Sequence, residues 1–374
     1  MKKIKKKNIL YLFSDTGGGH RAGAKSLMEA VEELKPQKYN QEMIDVFAKC
    51  SGFLNVFAKL YAPLINNIPK FWGTLYRLLD NPSRLKTLEK ISKPFIQKEL
   101  IKLIKNKNPD IIVSVHPLIN QITAQAIKET GKKIPFIVVV MDPVTFHRAW
   151  ITPDPDMFIL ATEEAKRLAI EYGLPPKKAK VIGLPINPKF SKKQPGKTIL
   201  RKQDGLDLKL FTILLMGGGE GAGGIDTIID AINRSALNLQ LIVITGRNKK
   251  LKSKLEKVAF RMPVKIYGFT NEVPRIMAES DLIITKGGPG AVAESLAMNL
   301  PMIITSWLPG QEEGNVEFVQ KNKLGYITKE PQKVVHQIKE LQDPKIYKKI
   351  QLNIRRNKKP NAVFDIASNI IGYL

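Results

Sequence analysis

Three short apolar runs that end in glycine-rich turns and lead into helical patterns constrain the fold of this chain most. Residues 9–14 precede Asp15-Thr-Gly-Gly-Gly-His20, residues 211–216 precede Gly217-Gly-Gly-Glu-Gly-Ala-Gly-Gly224, and residues 282–285 precede Lys286-Gly-Gly-Pro-Gly290. A strand, a glycine turn and a helix in this order form the phosphate-binding layout of doubly wound α/β folds. The spacing matches neither the dinucleotide fingerprint nor the Walker loop. The pattern therefore predicts parallel sheets with anion-binding turns.

The other strand-like runs fall into two series, which predicts two domains. They lie at residues 42–46, 110–115, 136–141, 157–160 and 180–186, and at residues 240–245, 264–269 and 301–305. We predict an α/β protein with two Rossmann-like, doubly wound domains, residues 1–190 and 210–359, facing a central cleft. The polar segment 191–209 contains proline and glycine and is predicted to be a linker. Residues 360–374 are predicted to form a helix that packs back on the N-terminal domain.

The charge balance indicates an anionic partner. The net charge is +26, from 60 Lys and Arg against 34 Asp and Glu. Such an excess suits nucleic acid, an anionic membrane or a phosphorylated ligand, although a solvated lysine-rich surface gives the same composition. The sequence contains no RNA-binding signature and no DNA-reading helix pattern, so we expect no nucleic-acid partner.

Residues 47–108 interrupt the strand–helix alternation with a basic, aromatic helical segment. Between Lys49 and Lys105 there are 11 basic and 3 acidic residues. The segment also contains several aromatic residues: Phe47, Phe53, Phe57, Tyr61, Phe71, Trp72 and Tyr76. Aromatic and basic groups side by side suit a helical region on an anionic lipid surface. Alternatively, the aromatic side chains form the core of a helical insertion and the lysines lie outside it.

Cysteine content and hydropathy restrict the compartment and the kind of membrane contact. Cys50 is the only cysteine, which excludes a disulfide framework and fits a reducing cytoplasm. The basic start resembles the n-region of a signal peptide, but the apolar run that follows is too short for an h-region. No apolar run approaches the ~18 residues of a transmembrane helix. We therefore expect peripheral association with the cytoplasmic face of a membrane.

Polar residues follow several of the predicted strands in the N-terminal domain. They are Asp15, His20, His116, Asp142 and His147. Ligands bind at the carboxyl ends of strands in open parallel sheets, so this recurrence predicts a site. His20 beside a substrate hydroxyl could remove a proton near neutral pH, although a structural or capping histidine fits its position equally well. Asp154-Pro155-Asp156 resembles a metal-binding Asp-x-Asp, but its prolines favour a turn.

Residues 282–315 combine the chemistry needed for each part of a nucleotide sugar. Amides at the helix start near Gly290 suit a diphosphate. The carboxylate of Glu294, one turn into that helix, can accept hydrogen bonds from a ribose diol. The loop Pro309-Gly-Gln-Glu-Glu-Gly-Asn315 is dense in groups that bond sugar hydroxyls. An ordinary connection between strand and helix is the alternative interpretation of this stretch.

Five motifs, in order along the chain, resemble those of the monogalactosyldiacylglycerol synthases within glycosyltransferase family 28. They are Ser14-Asp-Thr-Gly-Gly-Gly-His-Arg-Ala22, Val113-Ser-Val-His-Pro117, Gly246-Arg-Asn-Lys-Lys250, Lys286-Gly-Gly-Pro-Gly290 with Ala293-Glu294, and the loop from Pro309 to Asn315. A more distant resemblance is to the peptidoglycan N-acetylglucosaminyltransferase that makes lipid II. The resemblance implies a GT-B fold and metal-independent, inverting sugar transfer from a UDP-sugar to diacylglycerol, without a cofactor.

The resemblance also implies roles for individual residues. His20 would be the general base or its close partner, with Asp15 as the second catalytic residue. Glu294 would hold the ribose hydroxyls. The other donor-binding residues would be Gly217, Gly218 and Gly219, Arg247, Phe269, Thr270, Lys286, Gly288, Pro289 and Gly290, with Gln311, Glu312 and Asn315 near the sugar. Acceptor-binding residues would be Gly18, Gly19, His116, Asp142, His147 and Trp72.

Three points stay open at the level of the sequence. The donor sugar is galactose or glucose. A peptidoglycan-type transfer of N-acetylglucosamine to a polyprenyl-diphosphate lipid is the alternative reaction, since a basic first half also suits that anionic lipid. From another class of protein, a non-catalytic anionic-lipid-binding protein would also explain the charge.

Overall fold

The computed structural model of this chain describes residues 6–16, 18–217 and 225–374. They form two units, each built on a six-stranded parallel sheet. The first unit runs to Pro188 and also includes Pro309–Gln311 and Asn361–Leu374. The second comprises Lys189–Leu308 and Glu312–Pro360. The side chains of Phe53 and Phe57, two of the aromatic residues in the basic segment, lie outside the described part.

The sheet of the first unit has the order β2-β1-β3-β4-β5-β6. Its strands are β1 (Lys7–Phe13), β2 (Tyr39–Asp45), β3 (Ile111–Ser114), β4 (Phe136–Val139), β5 (Met157–Leu160) and β6 (Ala179–Val181). Strands β3 and β4 are buried at every residue. Near-continuous apolar runs are typical of parallel strands covered on both faces, and this explains their sequences, IIVS and FIVV.

Seven helices belong to the first part of this unit. They are α1 (Gly19–Leu34), α2 (Val46–Cys50), α3 (Gly52–Asn67), α4 (Pro69–Leu79), α5 (Pro82–Lys107), α6 (Pro117–Glu129) and α7 (Glu163–Glu171). Short 3-10 turns lie at Arg148–Trp150, Pro176–Lys178 and Pro188–Phe190. Helices α2 to α5 occupy the basic, aromatic segment, which is helical as predicted.

Capping side chains and prolines mark the starts of helices in the basic segment. Asp45 caps α2, because its carboxylate accepts a hydrogen bond from the amide of Ala48 at 3.0 Å. Asn81 caps α5 in the same way through the amides of Ser83 and Arg84. A proline occupies the first position of α4 and of α5, where its missing amide hydrogen costs nothing.

The sheet of the second unit has the order β12-β11-β10-β7-β8-β9. Its strands are β7 (Phe211–Met216), β8 (Leu239–Ile244), β9 (Val264–Tyr267), β10 (Leu282–Lys286), β11 (Met302–Ser306) and β12 (Gly325–Ile327). Its helices are α8 (Lys197–Gln203), α9 (Ile225–Arg234), α10 (Lys249–Leu255), α11 (Val273–Glu279), α12 (Pro289–Ala297), α13 (Glu313–Lys321), α14 (Pro331–Leu341) and α15 (Pro344–Asn357). This is the Rossmann strand order, in which the first and fourth strands lie side by side.

The segment predicted to be a linker contains a packed helix. Arg201 in α8 is only 5% exposed, and its guanidinium donates to the carbonyl of Glu279 at 2.9 Å and to the carboxylate of Asp281 at 2.5 Å. Lys197 binds the other oxygen of Asp281. The polar sequence misleads here because the buried guanidinium of α8 pairs with the partly buried carboxylate of Asp281 rather than with water.

The last helix, α16 (Ala362–Ile371), returns to the first unit and packs against α1. Its buried side chains are apolar: Ala362, Val363, Ile366, Ala367 and Ile370. Among the described residues, no helix combines the length and the apolar character that are needed to cross a bilayer.

Candidate functional site

The polar strand ends of the first unit meet at the point where the strand order reverses. Strands β2 and β3 lie on opposite sides of β1, and both pair with it. The chain therefore forms β2 on one side of β1 and then crosses to the other side to form β3. A crevice for a ligand lies at such a switch point in doubly wound sheets. Thr16 lies in the loop after β1, His20 lies in the first turn of α1, and His116 follows β3, which places these residues at this switch point.

The glycine loop after β1 requires a glycine at Gly18 for conformational reasons. Gly18 has a φ of +82° and caps α1, and a side chain there would strain the backbone although open space surrounds it. Gly19 is the first residue of α1, so the helix begins three residues earlier than its apolar pattern indicates. Gly17 lies outside the described residues.

One ring nitrogen of His20 has a lone pair that can accept a proton. Its Nδ1 lies 2.6 Å from the carbonyl oxygen of Val115. Because a carbonyl only accepts, Nδ1 carries the hydrogen and Nε2 carries the lone pair. No described residue hydrogen-bonds Nε2. Desolvation lowers the His20 pKa to about 4, and the Val115 hydrogen bond and the charge of Asp15 only partly oppose this shift.

His116 packs against His20. The two rings meet edge to face with their centroids 4.5 Å apart. His116 is 2% exposed, and its Nε2 lies 3.1 Å from the hydroxyl of Thr16, inside the glycine loop. Burial, and secondarily the neighbouring His20, holds the His116 pKa well below its usual range. The ring of His116 is therefore neutral, and it packs against His20 inside the protein rather than being exposed to the acceptor substrate.

Asp15 binds Arg21 rather than His20. The guanidinium donates to Oδ2 of Asp15 from Nε at 3.1 Å and from Nη2 at 2.8 Å. Within the described residues, no hydrogen bond joins Asp15 to His20. Asp15 therefore acts on His20 through its charge and not through direct contact.

The remaining predicted acceptor residues are tied into the fold. Asp142 accepts a hydrogen bond at 2.8 Å from the indole of Trp150, which is fully buried and lies 5.9 Å from the His20 ring. His147 uses both ring nitrogens: Nδ1 accepts from the amide of Ala149, and Nε2 donates to the carbonyl of Tyr76 in α4. Trp72 in α4 packs edge to face on Tyr61, with its indole nitrogen buried and unpartnered among the described groups.

Sequence reasoning missed Thr16 and Trp150 as parts of this site. Thr16 carried a signal, because it lies within the glycine motif between Asp15 and His20. Trp150 carried none: it ends a 3-10 turn eight residues after Asp142, and its contact with His20 arises from packing between distant segments.

The second unit has its own switch point, between β7 and β10. Gly217 follows β7 and is buried, while Gly218 and Gly219 lie outside the described residues. Lys286 is the last residue of β10 and precedes the turn into α12. Both predicted glycine turns of this unit therefore follow adjacent strands, β7 and β10, at the sheet edge where ligands bind.

The turn after β10 leads into the start of a helix, a feature that suits an anion. Gly288 caps α12, Pro289 is its first residue, and the amides of the first turn lack partners within the helix. Gly290 also lies in this turn. A Cβ on Gly288 would lie 3.0 Å from Cε of Lys286, so the lysine chain passes directly over this glycine.

Glu294 is a carboxyl group with no cationic partner among the described residues. Desolvation alone raises its pKa to about 8. It points toward the start of its helix, since a Cβ on Gly290 would lie 3.9 Å from its Oε1. A group held this way gains most from donors that a ligand brings, such as the two hydroxyls of a ribose.

Glu312 and Asn315 are buried and brace the turn after β10. Glu312 Oε1 accepts from Nζ of Lys286 at 2.8 Å, and Oε2 accepts from the amide of Leu308 at 2.9 Å. Asn315 donates to the carbonyl of Gly287 at 3.0 Å. Gln311 belongs to the first unit, where its Oε1 accepts from the hydroxyl of Tyr61 at 3.0 Å.

Beyond β8 and β9, a basic and an aromatic side chain lie together. The Arg247 guanidinium stands 5.2 Å from the centre of the Phe269 ring, which is 61% exposed. An exposed ring flanked by a guanidinium suits stacking of a flat base. The Thr270 hydroxyl accepts from the amide of Glu272 and shapes this turn.

Within the described ranges, no group of three or more His, Cys, Asp or Glu side chains could hold a metal ion. Asp154 has a φ of +47° and pairs with Lys178, and Asp156 accepts from the amide of Phe136 at 2.7 Å. These contacts fit the turn that the sequence predicted there.

Comparison with known proteins identifies relatives over nearly the whole chain. Residues 20–186 match the family model for monogalactosyldiacylglycerol (MGDG) synthase, and residues 212–369 match the glycosyltransferase family 28 C-terminal domain. Monogalactosyldiacylglycerol synthase 2, chloroplastic, from Arabidopsis thaliana is 35% identical over 97% of this chain and 80% of its own length. Its counterpart from Spinacia oleracea is 33% identical, over 97% of this chain and 72% of its own.

Solved glycosyltransferase structures share the fold at low identity. MurG from Acinetobacter baumannii has a TM-score of 0.62 at 13% identity, covering 98% of this chain and 99% of that one. HepE from Anabaena, solved in complex with UDP-glucose, has a TM-score of 0.58 at 15% identity, covering 98% and 100%. The GT-B fold expected from the sequence is confirmed.

Proposed function

The chain belongs to the monogalactosyldiacylglycerol synthase family of glycosyltransferases, and on that premise we propose that it transfers a hexose from a UDP-sugar to diacylglycerol with inversion. The proposal rests on one observation: the two switch points carry different chemical groups. One holds a histidine with a free nitrogen lone pair, and the other holds an anion-binding helix start with an unpaired carboxyl group one turn further on.

The proposed reaction is a direct displacement at the anomeric carbon. The diacylglycerol hydroxyl oxygen attacks C1 of the sugar, the bond from C1 to the diphosphate oxygen breaks, and UDP leaves with the electron pair. His20 Nε2 takes the hydroxyl proton, while the Val115 carbonyl keeps the ring in the tautomer that can do so. Amides at the start of α12 and the Lys286 ammonium stabilise the negative charge that develops on the departing diphosphate. These groups are the basis for expecting turnover without a metal ion, and equal rates with and without a chelator are the test.

A donor and acceptor screen tests the reaction. The protein is incubated with labelled UDP-galactose, UDP-glucose or UDP-N-acetylglucosamine, and with diacylglycerol in liposomes or a polyprenyl-diphosphate lipid. We expect a monohexosyl diacylglycerol as the product. Galactose is the expected sugar, because the relatives are named monogalactosyldiacylglycerol synthases. Transfer of N-acetylglucosamine to the polyprenyl lipid would establish the peptidoglycan-type reaction instead. Absence of any glycolipid, together with absence of UDP binding by calorimetry, would leave a lipid-binding protein without catalysis.

We also propose that helices α3 to α5 contact the cytoplasmic face of an anionic membrane. Large apolar side chains in these helices are exposed: Val56, Leu60, Ile68, Phe71, Leu78, Leu88, Ile91 and Phe95. Basic residues are interleaved with them along the chain. Exposed apolar groups among cations gain from inserting into a lipid surface while the cations bind its headgroups.

Liposome flotation tests this contact. We expect binding to vesicles that contain phosphatidylglycerol, weaker binding at high salt, and little binding to neutral vesicles. Phe71→Ser and Ile91→Ser should weaken binding, since both side chains are more than half exposed. Leu352→Ser is the matched control, because Leu352 is 48% exposed but lies in α15 of the second unit. Equal loss for the control would contradict a surface restricted to α3–α5.

A further inference from the structure

We propose that Asp204 and Glu279 share one proton, and that this proton acts as a pH-sensitive clamp on the turn between β9 and α11. Asp204 follows α8, Glu279 is the last residue of α11, and the turn carries Phe269 and Thr270. All of these groups belong to the second unit. The clamp requires no ligand, so it stands apart from the proposed function.

The carboxyl group of Glu279 lies inside the protein without an ordinary partner. Its side chain is 0% exposed, and neither of its oxygens accepts a hydrogen bond from a donor in the described part of the chain. The Arg275 guanidinium approaches Oε2 only to 4.0 Å, which is beyond hydrogen-bonding distance. An ionised carboxylate in this place would carry a large desolvation penalty. The group is therefore neutral and holds a proton.

Asp204, in contrast, is held in its ionised form. Three donors reach its Oδ2: Nη2 of Arg275 at 2.9 Å, the hydroxyl of Tyr267 at 3.1 Å and Nζ of Lys265 at 3.4 Å. Desolvation opposes ionisation, but the bonds and charges of Arg275 and Lys265 outweigh it and lower the pKa of Asp204. Because these three donors all use Oδ2, we assign Oδ1 as the acceptor for Glu279.

A contact between the two carboxyl groups requires a proton between them. Asp204 and Glu279 are hydrogen-bonded to each other, and ionised carboxylates only accept hydrogen bonds. Since Asp204 is charged and Glu279 is neutral, the Glu279 hydroxyl is the donor. Burial, then the charge of Asp204 and this bond, raise the pKa of Glu279 to about 7, against the opposing charges of Arg275 and Lys265.

The charged groups on the elements that pack against α11 are directed elsewhere in the described contacts. Helix α11 packs against α8 and β7, and the sequence of β7, FTILLM, has no charged residue. In α8, the guanidinium of Arg201 donates to the backbone carbonyl of Glu279 and to Asp281, and Lys197 also pairs with Asp281. Lys202, the remaining cation of α8, is exposed. The shared proton is therefore governed by the carboxyl pair and the cations already named.

Loss of the proton would act on both sides of the turn. Tyr267 ends β9 and bonds Asp204, while Arg275 and Glu279 lie in α11, so the carboxyl pair joins the elements before and after residues 268–272. Ionisation of Glu279 removes the bond to Asp204 and places two negative charges beside one guanidinium. We therefore expect the turn to loosen as pH rises through about 7.

Thermal unfolding of Glu279→Gln across pH tests the shared proton. The amide can still donate to Asp204, but it has no ionisable proton. Because the folded pKa of Glu279 is raised to about 7, wild type loses stability as pH rises from the unfolded value of ~4.3 through the folded one. We expect the Tm of wild type to fall by roughly 5 °C relative to the variant between pH 5 and pH 8. A constant Tm difference over this range would overturn the proposal.

A matched control separates this effect from the other titrating groups. Glu256→Gln removes the same kind of charge from a side chain that is 49% exposed, so its Tm difference from wild type should stay constant over the same range. Glu294 titrates equally in wild type and in both variants. A trend in Glu256→Gln as large as that in Glu279→Gln would contradict a specific role for the carboxyl pair.

Two spectroscopic measurements locate the proton and its effect. Infrared difference spectra of wild type minus Glu279→Gln should show a protonated carboxyl C=O band at pH 6 that disappears by pH 8, and absence of the band at pH 6 would refute the shared proton. Hydrogen exchange in residues 268–272 should be faster in wild type than in the variant at pH 8 and equal at pH 6. Equal exchange at pH 8 would refute the clamp.

Discussion

At His20, the two nitrogens of one ring have different environments. Nδ1 is held by the Val115 carbonyl, while Nε2 has no partner among the described residues. The sequence could place His20 at a strand end, and it left a base and a structural residue equally open. It could not supply the tautomer, because that depends on a carbonyl 95 residues away in the chain. The same holds for Asp15, whose guanidinium partner follows from side-chain conformation rather than from spacing.

Replacing His20 with alanine should separate binding from turnover. We expect His20→Ala to lose ~10²-fold or more in kcat, as is usual for a lost general base, and to keep UDP affinity unchanged. Steady-state kinetics and calorimetry check the two parts. His336→Ala is a matched control, because His336 is exposed on α14 in the second unit. Turnover that survives in His20→Ala would assign His20 a structural role only.

Glu294 should make nucleotide binding depend on pH. Its pKa is raised to about 8, so much of the free protein carries a neutral carboxyl group at pH 7. Ribose hydroxyls donate to the charged form, and we therefore expect UDP affinity to increase between pH 6 and 9. Calorimetry across this range checks it, with Glu294→Gln expected to bind weakly and without this dependence. A flat pH profile in the wild-type protein would contradict the assignment.

The same raised pKa should cost stability at high pH. The pKa of this carboxyl group is higher in the folded protein than its unfolded value of ~4.3. The stability of the folded protein therefore decreases as pH rises from the unfolded pKa through the folded pKa. Glu294→Gln avoids the desolvated charge. We expect it to be ~1–2 kcal/mol more stable than wild type at pH 9 and equal at pH 4, after allowance for partial solvent exposure. Thermal unfolding at both values measures this, and a variant less stable at pH 9 would refute it.

At the scale of elements, the pattern of strand, glycine turn and helix was sufficient to predict both sheets and the strand ends that the candidate site residues follow. Local patterns carry this information because buried parallel strands are apolar throughout and turns need glycine. Helix α8 escaped the same reasoning. Its charged sequence is typical of a linker, and the long-range ion pairs with the partly buried Asp281 cannot be predicted from local sequence.

Arg201 should therefore contribute strongly to the stability of the second unit. Arg201→Ala leaves Asp281 with Lys197 and the Thr212 amide, and it removes the guanidinium donor from the carbonyls of Glu279 and Leu208. We expect a loss of ~3 kcal/mol in the free energy of unfolding, as for other broken buried pairs. Lys202→Ala, the exposed neighbour in the same helix, should change stability by less than ~0.5 kcal/mol. Urea denaturation of both variants checks this, and similar losses would contradict a specific role for Arg201.

At the scale of the whole molecule, the chain leaves the first unit near Pro188, contributes Pro309–Gln311 to it, and rejoins it at Asn361. Helix α16 buries an apolar face against α1, the helix that carries His20. Removing residues 361–374 should therefore lower the midpoint of unfolding of the first unit and leave the second unit unaffected. Hydrogen exchange resolved by peptide distinguishes the two units. Unchanged protection in α1 after truncation would show that α16 contributes little.

The return of α16 also sets an order for biosynthesis. The second unit needs no described residue beyond Pro360, so its own segments are all synthesised before α16. Most of the first unit precedes Lys189, yet the helix that covers α1 is synthesised only after the whole of the second unit. The domain that is synthesised first commonly folds first. Here α1 keeps an uncovered apolar face until α16 emerges from the ribosome, and the nascent chain is exposed to aggregation during that interval.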